Sequence, residues 1–332
     1  MTKRITSVCL LVFLISVAPT AKPSEVVKTS KGEVEFIGLE TWTPKMIEEK
    51  LGYKSPDELH YCAADLKRIG FPEAAVMGYM DHGKRYTIVT VIDPEYAHDV
   101  AFLPAPPQRI TPPPSWQSLL SAVQQPNLLE GGVLDYARAL PGAGSDRQPL
   151  SDGTPQVWWT VLRKFAGPAD YTNARKILRA DADPSARAAA ALVLMNFSRY
   201  DAAWQGLVRG LRDPNVKVNA TCFQALNSLS TFLPRKVDWT PSLPDIIPLL
   251  RGTNLFAFVF LLKALAATGV NQSLAGPLLS RGNARLVIAY LNAAHPEEHD
   301  LAHSFLVQLH GADLGAEPEP WLEWIASIGK TR

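Results

Sequence analysis

The sequence predicts a mostly α protein: a C-terminal α-solenoid of helix pairs, preceded by a small α/β unit of order β-α-α-β-β. Three observations carry this. From about Gln156 onward the apolar residues keep helical spacing, and a short Asp-Pro motif recurs about every 30 residues. Residues 33–95 carry β-like apolar runs, separated by helix-opening prolines and a hairpin turn. Between the two parts, residues 104–114 hold six prolines and read as a semi-extended linker, with relative motion of the flanking parts expected about it.

The N-terminus reads as an address. Lys3 and Arg4 precede the nearly wholly apolar run Ile5–Val17, and Ala18-Pro19-Thr20-Ala21 follows. A basic end, an apolar centre too short to span a bilayer and a small-residue end make a signal-peptide pattern over residues 1–21. An exported, periplasmic or extracytoplasmic protein is expected, with no stable membrane span after signal removal. Residues 22–32 are polar and read as flexible.

In the α/β unit, Val34–Leu39 reads as a strand. Thr43-Pro44 opens a helix, with Thr43 as N-cap and Pro44 at the first helical position. Ser55-Pro56-Asp57-Glu58 opens a second, whose Leu59, Cys62, Ala63, Leu66 and Ile69 follow helical spacing until Gly70 ends it. Ala74–Met80 and Arg85–Ile92 read as strands joined by Asp81-His82-Gly83-Lys84, where Gly83 is free to take positive φ. This order, with the stretch Leu66–Val76 running from a helix through Gly70-Phe71 into a strand entered by Ala and Val, resembles a POTRA domain. The resemblance implies an extracytoplasmic module that adds a peptide as an extra strand at its sheet edge.

Residues 115–150 hold one helix around Trp116–Val123, and Leu140–Pro155 is a Gly/Pro/Ser-rich loop. In the helical part, Asp183-Pro184-Ser185-Ala186-Arg187 aligns with Asp213-Pro214-Asn215-Val216-Lys217 at an offset of 30. Leu250–Leu255 and Arg281–Arg285 repeat the theme. In each motif Asp is expected to cap a helix, Pro to sit in its first turn, and the basic residue to reach a carboxylate of its own or a neighbouring repeat. The repeats resemble the short HEAT family over roughly Gln156–Ile328, most clearly at Asp183 and Asp213, which makes 115–332 the expected HEAT-like α-solenoid domain. That resemblance implies a concave surface lined by second helices, here roughly 170–179, 200–211, 243–250, 271–280 and 296–310. Trp204, Gln205, Arg209, His299 and His303 are then the candidate groove residues. At the C-terminal end, Trp321 and Trp324 read as a cap over the last apolar face.

Composition narrows function mainly by exclusion. The chain has 332 residues, 33 Lys+Arg against 32 Asp+Glu, and 47% apolar residues, which excludes a wholly disordered, collagen-like or disulfide-scaffold protein. A net charge of +1 argues against a general nucleic-acid binder. Cys62 and Cys222 sit among apolar neighbours and read as buried free thiols. The sequence contains no Walker loop, no dinucleotide fingerprint, no nucleophile elbow and no paired-cysteine metal motif, so no cofactor and no catalytic residue is expected. The best chemical cluster is His295–His303, where His299 and His303 share a helix face and can chelate a divalent metal if a third ligand joins them. The leading expectation is a non-catalytic scaffold that binds a protein or peptide of the envelope. The alternatives are a metal-binding regulator using His299 and His303, and a lyase-like enzyme, since short HEAT repeats also resemble those of phycobilin lyases.

Overall fold

The computed structural model describes residues 22–81, 83–124, 132–143, 157–280 and 282–328. The expected signal peptide and most of the 140–155 loop lie outside them. The protein is mostly helical with a small four-stranded mixed sheet. The first part comprises β1 (Glu25–Thr29), β2 (Gly32–Ile37), α1 (Pro44–Leu51), a 3-10 turn Pro56–Tyr61, α2 (Ala63–Arg68), β3 (Glu73–Asp81) and β4 (Lys84–Ile92).

The punctuation behaves as its chemistry requires. Thr43 accepts from the Met46 N–H, with Pro44 at the start of α1. Ser55 and Glu58 form a reciprocal capping box. Gly83 takes φ +77° in the β3–β4 turn. One expectation is corrected here: Glu25–Thr29 is not a flexible tail but a strand. It pairs antiparallel with β2, giving the order β1-β2-β4-β3 with β2 and β4 parallel. The outer edge of β2 is therefore covered.

Strand alternation sorts the side chains into two cores. Val34, Phe36, Ala74, Val89 and Val91 face α1 and α2, packing on Ile47, Leu59, Cys62 and Leu66. Ile37, Tyr86, Ile88 and Ile92 point the other way and join the helical core. Burial on both faces explains why β4 reads as a near-continuous apolar run rather than a clean alternation.

After a 3-10 turn at Pro94–Asp99 the chain runs extended to Pro113, and the helices follow. They are α3 (Gln117–Val123), α4 (Gly132–Arg138), α5 (Val157–Leu162), α6 (Pro168–Ala180), α7 (Pro184–Leu194), α8 (Asp201–Gly210) and α9 (Val216–Phe232). Then come α10 (Leu243–Leu250), α11 (Leu255–Ala267), α12 (Ala275–Leu279), α13 (Arg285–Leu291), α14 (Pro296–His310) and α15 (Pro318–Ile328). They pack in two rows: α6 on α8 on α10 on α12, and α7 on α9 on α11 on α14. None of the described helices is long and apolar enough to cross a membrane. Trp321 on α15 is fully buried, its indole N–H donating to the Gly315 carbonyl, and α15 covers α12 and α13.

The repeat register differs from the sequence alignment. Asp183 caps α7, accepting from the Ser185 N–H, but α9 is capped by Asn215, accepting from the Lys217 N–H. Asp181 and Asp213 play the matching roles, accepting from the N–H groups of Asp183 and Asn215. The structural offset is thus 32 residues, not 30. Asp213 does not cap α9 because its carboxylate receives Arg187 in a bidentate pair, Nε at 2.7 Å and Nη2 at 2.8 Å. Arg187 also donates to the Asp181 carbonyl. The expected reach of the basic residue to a carboxylate is therefore present at Arg187. Arg212 to Asp245, and Arg251 to Asn283, make the next links along the stack.

The extended segment 100–113 is not a free spacer. Leu103 donates to the Arg212 carbonyl, Arg212 donates twice to the Ala101 carbonyl, and Gln108 accepts from Ala182. The sheet is tied as closely. Glu35, wholly buried, accepts from Tyr86 Oη and from the backbone N–H groups of Ala294 and His295. Glu298, also buried, accepts from Tyr79 Oη and lies 2.6 Å from His295 Nδ1. The His295 ring sits between Tyr79 and Tyr86, with centroids at 4.6 and 4.7 Å. Burial and the adjoining carboxylates raise both phenols above the ordinary range. Relative motion about the proline segment does not fit this shared core and its buried polar seam.

Cys62 and Cys222 are free and buried, one in each core. Burial pushes the Cys62 thiol up to about 12 and raises Cys222 as well. Cys222 also sets the approach of α8 to α9, since a Cβ on Gly210 would lie 2.2 Å from its Sγ. Gly210→Ala is expected to cost about 1–3 kcal/mol through overpacking. Adding Cys222→Ala should recover most of that loss. Denaturant midpoints of the two variants check this, and a Gly210→Ala midpoint equal to that of the native chain would refute it.

Candidate functional site

Four segments distant in sequence enclose a cavity of about 910 Å³. One wall is the extended strap Leu103–Gln108, and the facing wall is α6. The floor is α8, and the start of α10 closes one end. Helical spacing decides which side chains reach it. On α6, Ala174, Ile177 and Leu178 are buried, while Thr172, Arg175, Lys176 and Arg179 are exposed and line the cavity. On α8, Ala203, Trp204, Leu207 and Val208 are buried, leaving Gln205 and Arg209 on the cavity side, one turn apart.

The charges are unequal. Two acids line the cavity, Asp213 and Asp245, and both are already engaged. Asp213 holds Arg187, and Asp245 holds Arg212 at 2.8 Å and Arg209 at 3.4 Å. Among the described residues, no carboxylate lies within 4.0 Å of Arg175, Lys176 or Arg179. Arg175 instead sits over the Tyr171 ring at 5.4 Å. Among the described residues the lining holds no histidine and no cysteine. What the arrangement offers is charge-assisted hydrogen bonding to an anionic group beside the aliphatic side chains of Leu178 and Ala202.

The five sequence-predicted residues do not form one surface. Gln205 and Arg209 are brought together at the cavity. Gln205 donates through Nε2 to the Asp238 carbonyl at 2.7 Å. Trp204 is a correction: it is fully buried and donates to the Ser198 carbonyl. Adjacent helix positions point about 100° apart, so a residue beside Gln205 need not share its face, and the apolar stripe claims Trp204. His299 and His303 lie on α14, which belongs to the other row of helices, packed on α11. The expectation that 296–310 lines the same surface as 200–211 is therefore also corrected.

The two histidines are stacked, with centroids at 6.1 Å, but each has a protein partner. His299 Nδ1 lies 2.7 Å from the Leu291 carbonyl, and His303 Nε2 lies 2.8 Å from Asp313. Among the described residues no group of three or more His, Cys, Asp or Glu could hold a metal ion. Among the described residues, the metal alternative thus finds no third ligand beside His299 and His303.

No protein-family model, no curated protein and no solved structure matches this chain. The case for function rests on the residues themselves. The sequence reading missed Arg175, Lys176 and Arg179. Their spacing on one helix was visible, but their position opposite a proline strap is a product of the fold.

Proposed function

We propose that the chain is an exported, non-catalytic scaffold that binds a protein or peptide partner of the envelope. In this reading its helices form a HEAT-like α-solenoid and its N-terminal part a POTRA-like unit. The binding site is the cavity under the Leu103–Gln108 strap rather than the sheet edge. The observation that carries it is the cavity itself: it is roomy, open, lined by donors with unengaged charge and floored by aliphatic side chains. The two rows of serially packed helices, linked by Arg187, Arg212 and Arg251, support a rigid platform for such a site. With β1 on the outer side of β2, the sheet's edges are β1 and β3, and strand addition at either is the competing site.

Thr172 is exposed on the cavity wall, and its hydroxyl bonds only within its own helix, to the Pro168 carbonyl. Thr172→Trp therefore fills the mouth without disturbing the core. Affinity capture from envelope extract with the native chain is expected to retain a discrete partner that Thr172→Trp does not retain. Equal retention by both proteins would overturn the assignment of the site.

A further inference from the structure

We propose that the segment bound in this cavity is an acidic, extended peptide, read by Arg175, Lys176, Arg179 and Arg209. The inference rests on the binding reading above and adds the chemistry of the partner.

Charge complementarity is the first argument. Elsewhere several of the protein's arginines are paired with carboxylates: Arg187 with Asp213, Arg212 with Asp245, and Arg285 with Asp99 and Glu40. Arg175, Lys176 and Arg179 are the contrast, exposed on the cavity wall with no carboxylate within 4.0 Å among the described residues. The chain as a whole carries only +1, so a basic wall is not a by-product of basic composition. Arg209 is shared, since Asp245 is held more closely by Arg212 and leaves the 3.4 Å contact to Arg209 as the weaker one.

The shape and chemistry of the walls select a peptide. Among the described residues the lining contains no aromatic ring, so they offer no platform on which bases could stack. Leu178 and Ala202 provide aliphatic surface instead. The strap is extended and pinned at both ends, at Leu103 to Arg212 and at Gln108 to Ala182. Pro104, Pro106 and Pro107 carry no N–H, so the strap cannot supply a full β-ladder. A peptide lying along it is held by its side chains. Carboxylates reach α6 while intervening apolar side chains face the floor.

The test is fluorescence anisotropy of the chain from residue 22 with labelled peptides of about ten residues. One alternates Glu with Leu, one Gln with Leu, one Lys with Leu, and a thymidine oligonucleotide is included. The Glu peptide is expected to bind, and to weaken as salt is raised. It is expected to weaken about tenfold or more in Arg175→Gln/Lys176→Gln/Arg179→Gln, and further in the Glu-substituted triple. These three positions are exposed, and circular dichroism checks that each triple variant folds. Thr172→Trp is expected to abolish binding. If the Gln peptide binds as well as the Glu peptide and Thr172→Trp blocks both, the acidic assignment falls while the cavity stands as the site. If the oligonucleotide binds more tightly than any peptide, the peptide assignment falls. If no peptide binds, the proposal is overturned. If binding ignores Thr172→Trp, the cavity reading falls with it.

Discussion

Replacing Arg187 by methionine is expected to lower the unfolding free energy by about 3–5 kcal/mol. Arg187 is 1% exposed and Asp213 is 5% exposed, so neither charge has water to fall back on. The guanidinium meets both carboxylate oxygens and donates as well to the carbonyls of Asp181 and Ala182. Removing it strands a buried carboxylate and leaves two carbonyls short of a donor. The double variant Arg187→Met/Asp213→Asn should recover most of the loss. Asparagine keeps an acceptor for the Asn215 N–H, which Asp213 Oδ1 now receives at 2.9 Å, and carries no charge. Urea titrations of both variants check this. A single variant within about 1 kcal/mol of the native chain would show the pair to be dispensable.

Glu35→Ala is expected to cost a similar amount, about 3–5 kcal/mol, by a different route. The carboxylate takes three donors at the seam between sheet and helices: Tyr86 Oη at 2.8 Å, Ala294 N at 2.6 Å and His295 N at 3.0 Å. Alanine leaves all three donors without their charged acceptor in a buried seam. Glu35→Gln retains one acceptor oxygen and should cost less. Because the seam joins the sheet to α14, the loss should appear as earlier unfolding of the sheet. Amide exchange in β2 and β4 would speed up before that of α7 and α9. Uniform acceleration across all four elements would instead mean that sheet and helices unfold as one unit.

Local chemistry made much of the fold legible. Pro44 and Pro56 after Thr43 and Ser55, and the glycines at 70 and 83, mark element ends by covalent geometry alone; the one helix expected between Ser55 and Gly70 is instead a 3-10 turn, Pro56–Tyr61, followed by the short α2, Ala63–Arg68. β1 escaped because Glu25-Val-Val-Lys-Thr is an edge strand with solvated alternate positions, and its order comes from pairing with β2. α4 is a further helix in residues 115–150, where one was expected. The repeat register slipped by two residues because Asp183 and Asp213 share a letter but not a role. One caps a helix, and the other receives an arginine from the preceding repeat. Of the candidate site, Gln205 and Arg209 were recoverable as one helix face. The α6 wall was anticipated as helix 170–179 without its cations being singled out, and the strap was not, because nothing in sequence links residues 103–108 to 175–179 or to 241–245.

The most direct test of the central claim is site-specific photo-cross-linking in cells that make the protein. A benzophenone side chain is placed at Thr172 on the cavity wall or at Met80, which is 74% exposed on β3. The account predicts a discrete cross-linked protein from position 172, lost when Arg175, Lys176 and Arg179 are neutralised, and none from position 80. A discrete product from position 80 with none from position 172 would contradict it and move the binding site to the sheet edge.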